Sequence, residues 1–360
     1  MRHVVCVWMV MVLAMPASAW NSHGHRTITY LAFDRLPPDA PSWLRESADT
    51  VAFLSNQADR WRGWRAPALG HEHKPDHFLN IETLAEFGLT LRTLPPLRNE
   101  YLRAAAIAKY ADPQRVSPYD AADDPERAHE FPGFLPHAIL EHYVKLQATL
   151  NDVRVLEKLA DPQREFQLLA ARQTAQVHMG MLSHFVGDAA QPLHTTRHYN
   201  GWVGDNPAAF TTSNRFHAYI DGGVLAHHGL NFDVLRTPTP LAAVNAREPW
   251  DDILSYLERS HSRMTPLYEL EKDGRLLKEP GRELIAERLN DAGGMLGALI
   301  WSAYVSAAPN EKQIADFVFY DNMRGDEFTN RGRSAKPKAE TWPPAARNPA
   351  SRPASAPSGG

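Results

Sequence analysis

Cysteine is almost missing from this chain. Its 360 residues contain one, Cys6, which lies inside an apolar run from Val4 to Met15. Disulfide frameworks, thiolate metal centres and cysteine nucleophiles are therefore not expected in the rest of the sequence. Long hydrophobic runs are also scarce. Val4 to Met15 is too short for a membrane span, and no later stretch is apolar for longer. Period-two alternation of any length is absent, so nothing in the pattern asks for a sheet, and there is no internal repeat. Nor is there an excess of positive charge: 38 Lys and Arg stand against 42 Asp and Glu, a formal net charge of −4. That balance argues against a broad electrostatic footprint for duplex DNA but leaves room for a local positive site.

What is present begins with a leader-like N-terminus. Arg2 and His3 precede the apolar run, and Ala17-Ser18-Ala19 has the small-x-small form of a cleavage site. Residues 1–19 are expected to be a secretory signal, cut at Ala19/Trp20, with an N-terminal anchor as the other reading. The mature chain would then be secreted or periplasmic, and without disulfides it would rely on its core or on bound metal. Residues 334–360 turn to Pro, Ala, Ser, Arg and Gly and are expected to be a disordered tail. Residues 310–333 form an extension with no reading of their own. Residues 20–309 read as one all-α domain. Apolar spacing predicts helices from Ser22, the expected N-cap, to about Leu36, from Trp43 to Trp61, and over 99–110 and 134–160. Further helices are expected from Glu165 to Gln191, Asp251 to His261 and Pro280 to Ala307. Gly70 and Pro75 mark the intervening G-H-E-H-K-P-D-H as loop. His71 and His73 are expected to be solvated there, and His137 and His142 to be structural.

One stretch, S-H-F-V-G-D-A-A-Q-P-L-H from Ser183 to His194, carries the chemistry. His184 and Asp188 sit at i, i+4, one turn apart on one helix face. That face runs back through Met181 and Val177 and is expected to be buried. Buried charge needs partners. Gln191-Pro192 ends the helix, and His194 follows the break. Two imidazoles and a carboxylate converging in this way suit zinc. A core His–Asp hydrogen bond with a separate surface histidine is the other reading of the stretch. Three further groups are candidates. Cleavage before Trp20 would free an amine that can chelate with its own carbonyl, and His25 lies one turn on. Asp59 and Arg62 are three apart, a spacing also common in surface ion pairs. His217 and Asp221 form a second i, i+4 pair before Gly222-Gly223, where the helix is expected to stop. The loop after His194, rich in glycine and aromatics, suits the rim of a cleft.

Taken together, these motifs resemble, in order and over roughly residues 20–306, the zinc-dependent phospholipase C and single-strand nuclease superfamily, which includes the plant and fungal type I nucleases. The matching elements are Trp20, His25 in W-N-S-H-G-H, Ala58-Asp59 with Arg62, H-F-L-N from His77, H-F-x-G-D-x-x-Q-P-L-H from His184 to His194, and His217 with Asp221. The resemblance implies a single helical domain around a cleft holding three Zn2+. Asp59, His77, His184 and Asp188 would hold the first. Trp20 and His25 would hold its neighbour, with Asp188 bridging, and His194, His217 and Asp221 would hold the third. It also implies a phosphodiester hydrolase in which Asp59 orients or deprotonates the attacking water and Arg62 steadies the developing negative charge. Phe78 and Asn80 would contact the substrate.

Arg62 and Phe78 follow the nuclease side of the family, with single-stranded DNA or RNA as substrate and 5'-nucleotides as products. The chain departs from the nuclease pattern at N-G-W-V-G-D-N-P, at F-H-A-Y-I-D, and at Asn80, where nucleases often carry aspartate. A phospholipase C acting on phospholipid head groups is therefore the alternative. A non-catalytic zinc-binding module is a third reading from a different class. No stable protein partner is implied.

Overall fold

The helix Glu165–Ala190 is apolar and small along its second half, M-G-M-L-S-H-F-V-G-D-A-A, and every residue from Met179 to Ala190 is buried there. A helix buried on all sides must have neighbours all round, and it does. The helix Leu135–Leu159 runs beside it, and the helices Ala48–Leu54 and Glu279–Ser306 pack against it. The helix Ser22–Asp34 lies across both Ala48–Leu54 and Glu279–Ser306. Gly180 allows the closest approach: a Cβ there would lie 2.4 Å from Leu54 Cβ. The computed structural model describes residues 20–237 and 241–321. Among them there is no strand, and one core runs through the helices, so the all-α, single-domain expectation holds. No helix among the described residues is long and apolar enough to cross a membrane. The expected leader, the tail at 334–360 and the extension beyond residue 321 lie outside the described residues.

Several boundaries differ from expectation for local reasons. The first helix is capped by Asn21 rather than Ser22: the Asn21 side chain accepts from the backbone of His23 and Gly24, both at 3.1 Å. The expected helix over 43–61 is three pieces, Ser42–Arg45, Ala48–Leu54 and Gln57–Arg62. Ser47, Ser55 and Asn56 sit at or beside the breaks, where their side chains donate to carbonyls of the preceding turn and compete with the helical ladder. The stretch expected as loop is helical: Pro67–His73 with Pro67 at its first position, then a 3-10 turn, Lys74–His77, opened by Pro75. Helical spacing turns His73 inward against Trp61, with ring centroids 5.1 Å apart, so only His71 is exposed as expected. Val177 is 37% exposed; the stripe of Asp188 and Met181 leaves the core before it reaches that turn. The helix of His217 continues through Gly222-Gly223 as a π turn, Tyr219–Val224. Helices not anticipated include Phe232–Leu235, Met264–Lys272 and Glu311–Asp321, the last packed on Leu135–Leu159.

Candidate metal centre

The breaks place the chemistry. At the end of Ala48–Leu54 the Ser55 carbonyl accepts from His184 Nδ1 at 2.7 Å. His194 Nδ1 donates to the His77 carbonyl at 2.5 Å. With both Nδ1–H groups engaged by main chain, each Nε2 presents a lone pair inward, as an outer partner fixes the tautomer of a metal-binding histidine. The segment that carries His77 is tied on two sides. Leu79 donates to His194 O at 2.9 Å, Asn80 to Pro132 O at 2.7 Å, and Leu135 and Phe134 donate back to Phe78 O and Pro75 O at 3.2 and 2.7 Å. Gly133, at φ 108°, makes this approach possible, since a Cβ there would overlap the Phe78 carbonyl.

Two buried groups result. In the first, Asp188 lies 2.9 Å from His77 Nδ1, 3.3 Å from His184 Nε2 and 3.4 Å from His25 Nε2. His184 Nε2 faces His77 Nδ1 at 2.9 Å, and His25 stacks on His184 at 4.2 Å. Two trios, His25 with Asp59 and His184, and His77 with His184 and Asp188, each have ligand atoms within 4.8 Å of one another. Gly187 makes room for His25, because a Cβ there would sit 2.7 Å from His25 Nδ1. In the second group, His217 Nε2 faces His194 Nε2 at 2.9 Å and Asp221 Oδ2 at 3.2 Å. The π turn brings His217 and Asp221 together here, and such turns gather at functional sites. Gln191 donates to Asp221 Oδ1 at 2.7 Å. Trp20 is fully buried, and the neighbouring Asn21 amide donates to the Asp221 carbonyl at 3.3 Å, which brings the N-terminal residue of the expected mature chain alongside this group.

The electrostatics are those of a site built for added positive charge. Burial lowers the pKa of His25 and of His77 to about 3 and that of His217 well below its usual value, with His194 adding to the effect. Burial also acts to lower His184, but Asp188 and Asp59 outweigh it and raise that pKa. Burial works against ionisation of Asp188, yet His184 and His194 hold it well below the carboxylate range. Asp221 goes the other way: burial pushes it well up, and Asp188 and Asp59 add to the rise against the opposing Gln191 bond. Buried polar atoms of His25, His77, Asp188, His217 and Asp221 have no hydrogen-bond partner. Unsatisfied buried atoms are costly in a native interior, and bound cations are one way to satisfy atoms such as Asp188 Oδ1 and Asp221 Oδ2. The two trios of the first group, His25 with Asp59 and His184 and His77 with His184 and Asp188, could hold metal ions.

A cavity of about 480 Å³ is lined by Asp59 and His77 from the first group and by His194 and His217 from the second. Arg62 hangs over it and binds Asp59 Oδ1 at 2.6 Å. Burial opposes ionisation of Asp59, but His184 and Arg62 hold its pKa down. Phe78 lines the cavity, as do Tyr199 and Asn200 from the loop expected at a cleft rim. Asn80 is not among the lining residues; its Oδ1 is buried without a partner. From the same loop Trp202 turns into the core, stacked on His198 at 3.9 Å and edge-on to Tyr268. Sequence reasoning missed Gln191 as a brace for Asp221, Ser55 as the acceptor for His184, and Arg65, Lys74, Glu126 and His129 on the cavity wall. Only Gln191 had a local signal, its place three residues after Asp188. No protein-family model matches this chain, and no curated protein matches it.

Proposed function

We propose that the chain is a zinc-dependent phosphodiester hydrolase of the phospholipase C and nuclease type, acting on single-stranded nucleic acid. The observation that carries this reading is the pair of buried His/Asp groups, with imidazole nitrogens 2.9 Å apart in each and carboxylate oxygens of Asp188 and Asp221 left without a hydrogen-bond partner, beside a cavity that Arg62 also lines. Asp59, His77, His184 and Asp188 would hold one ion. His25 and the Trp20 main chain would hold a second shared with Asp188, and His194, His217 and Asp221 a third. When bound, zinc supplies Lewis acidity, which makes water a stronger acid and draws a phosphodiester to an acidic protein.

The chain's own groups do the rest. Asp59 faces the cavity as a carboxylate and orients or accepts the proton of the attacking water. Arg62, held by Asp59, donates to the phosphoryl oxygens as negative charge develops, a task that suits its planar fork. Lys74 on the wall is paired with Glu126, and the exposed cation Arg65 favours a polyanion over a phospholipid with a single phosphate.

Metal analysis of purified protein together with hydrolysis of bis-p-nitrophenyl phosphate tests the reading. Activity should vanish with chelator and return with zinc, at three zinc per chain. Zinc retained with no hydrolysis of any diester would leave a binding module instead. Parallel assays on single-stranded DNA, RNA and phosphatidylcholine assign the substrate; cleavage confined to the lipid would move the chain to the phospholipase side.

A further inference from the structure

Trp64 is 69% exposed, yet it lines the cavity beside the His/Asp groups. An indole left in water two residues from Arg62 has no packing role that explains it. Its backbone is held on both sides: Gly63 donates to Asp59 O at 2.9 Å, Trp64 to Trp61 O at 3.0 Å and Ala66 to Trp64 O at 2.7 Å. Pro67 then opens the next helix. The turn between Gln57–Arg62 and Pro67–His73 is therefore short and braced, and it presents the ring in advance of any ligand. Of the other large aromatics of the wall, Phe78 already carries His129 stacked on it at 5.2 Å and 17°, and Tyr199 stands edge-on to His217 at 6.1 Å. The cations of the wall differ in the same way. Lys74 is paired with Glu126, and Arg62 with Asp59. Arg65, exposed on the same turn as Trp64, has no carboxylate partner among the described residues.

We propose that Trp64 and Arg65 form a subsite for a nucleotide flanking the scissile phosphate, with the base stacked on the indole and its phosphate paired with the guanidinium. The inference rests on the nuclease reading above and deepens it. An aromatic platform serves any base, because every base has a π-face, and a cation beside it follows the backbone. A lipid chain could lie on the indole but would leave Arg65 without a role. The subsite makes the enzyme favour a polymer over a small diester and leaves base preference weak.

The test compares wild type, Trp64→Ala, Trp64→Phe and Arg65→Ala on hexathymidylate, bis-p-nitrophenyl phosphate and phosphatidylcholine vesicles. Trp64→Ala should raise KM for hexathymidylate about tenfold, the loss of one stacked base, and lose at least fivefold more kcat/KM on the oligonucleotide than on the small diester. Trp64→Phe should recover most of that difference. Arg65→Ala should lower the slope of log KM against log salt by about 0.7, one phosphate contact on a single strand. Equal losses on both diesters, an unchanged salt slope, or losses confined to vesicles would overturn the subsite. If the wild type cleaves no phosphodiester, the enzymatic reading has failed by itself. Anisotropy of labelled hexathymidylate then decides the subsite: weaker binding by Trp64→Ala and Arg65→Ala supports it, and equal binding removes it.

Discussion

Asp188 is within reach of four histidines, His25, His77, His184 and His194, at 3.4, 2.9, 3.3 and 3.8 Å. Burial disfavours protonation of all four rings, and in His25, His77 and His194 it lowers the pKa. A cation from outside the chain would satisfy the cluster. Two residues test this. Arg62→Ala should lower kcat at least about 100-fold, the usual effect of removing one donor to a developing oxyanion, while metal analysis shows full zinc content. Gly187→Ala places a methyl group against His25 Nδ1. It should reduce bound metal, and the overpacking should destabilise the fold by about 1–3 kcal/mol; metal content and thermal melting measure the two effects separately.

Among the elements, the interruptions matter more than the regular helices. The stop at Ser55 frees the carbonyl that orients His184, and the π turn sets Asp221 under Gln191. Gln191→Ala removes that brace and should lower zinc by one per chain without displacing the first group's metal, as read by elemental analysis. The start of Leu135–Leu159 carries a pH effect. His137 stacks flat on Tyr101, donates to Pro95 O at 2.9 Å, and is pushed by burial down to about 4 from 6.5. It is neutral in the native state and protonated below about pH 6.5 in the unfolded chain. Its contribution is thus complete above pH 6.5 and lost as pH falls towards 4. The shift corresponds to ~3 kcal/mol at most. In metal-free protein, urea unfolding between pH 7 and 4 should show a shallower pH dependence for His137→Phe than for wild type.

For the whole molecule, the site is where five segments distant in sequence meet: the N-terminal helix, the short helix Gln57–Arg62 with Asp59, the His77 segment, the central helix with its following turn, and the π turn at Asp221. Metal bound there would tie them together and stabilise the native state by mass action. Chelation should lower the melting temperature, and zinc should restore it in a concentration-dependent way; a melting curve indifferent to both would remove metal from the fold's energetics. The helical class and the main helices were readable in the chain because apolar spacing at 3.6 residues is a local property. His184 with Asp188, and His217 with Asp221, were readable for the same reason, since i, i+4 fixes their proximity within one element. His73 was misjudged because glycine and proline suggested a loop where Pro67 in fact starts a helix.

The sequence by itself determined an all-α chain with a single cysteine, its long helices, and the residue types able to take a metal, because composition and periodicity act over a few residues. Only the tertiary structure decided that His25, His77 and His194 meet the central helix at Asp188, that Asn80 stays off the cavity wall, and that Trp64 and Arg65 stand beside the chemistry. Those relations depend on where helices break and how closely they pack. Close packing is set by contacts between residues more than a hundred positions apart, such as His77 with Asp188, which no local pattern encodes.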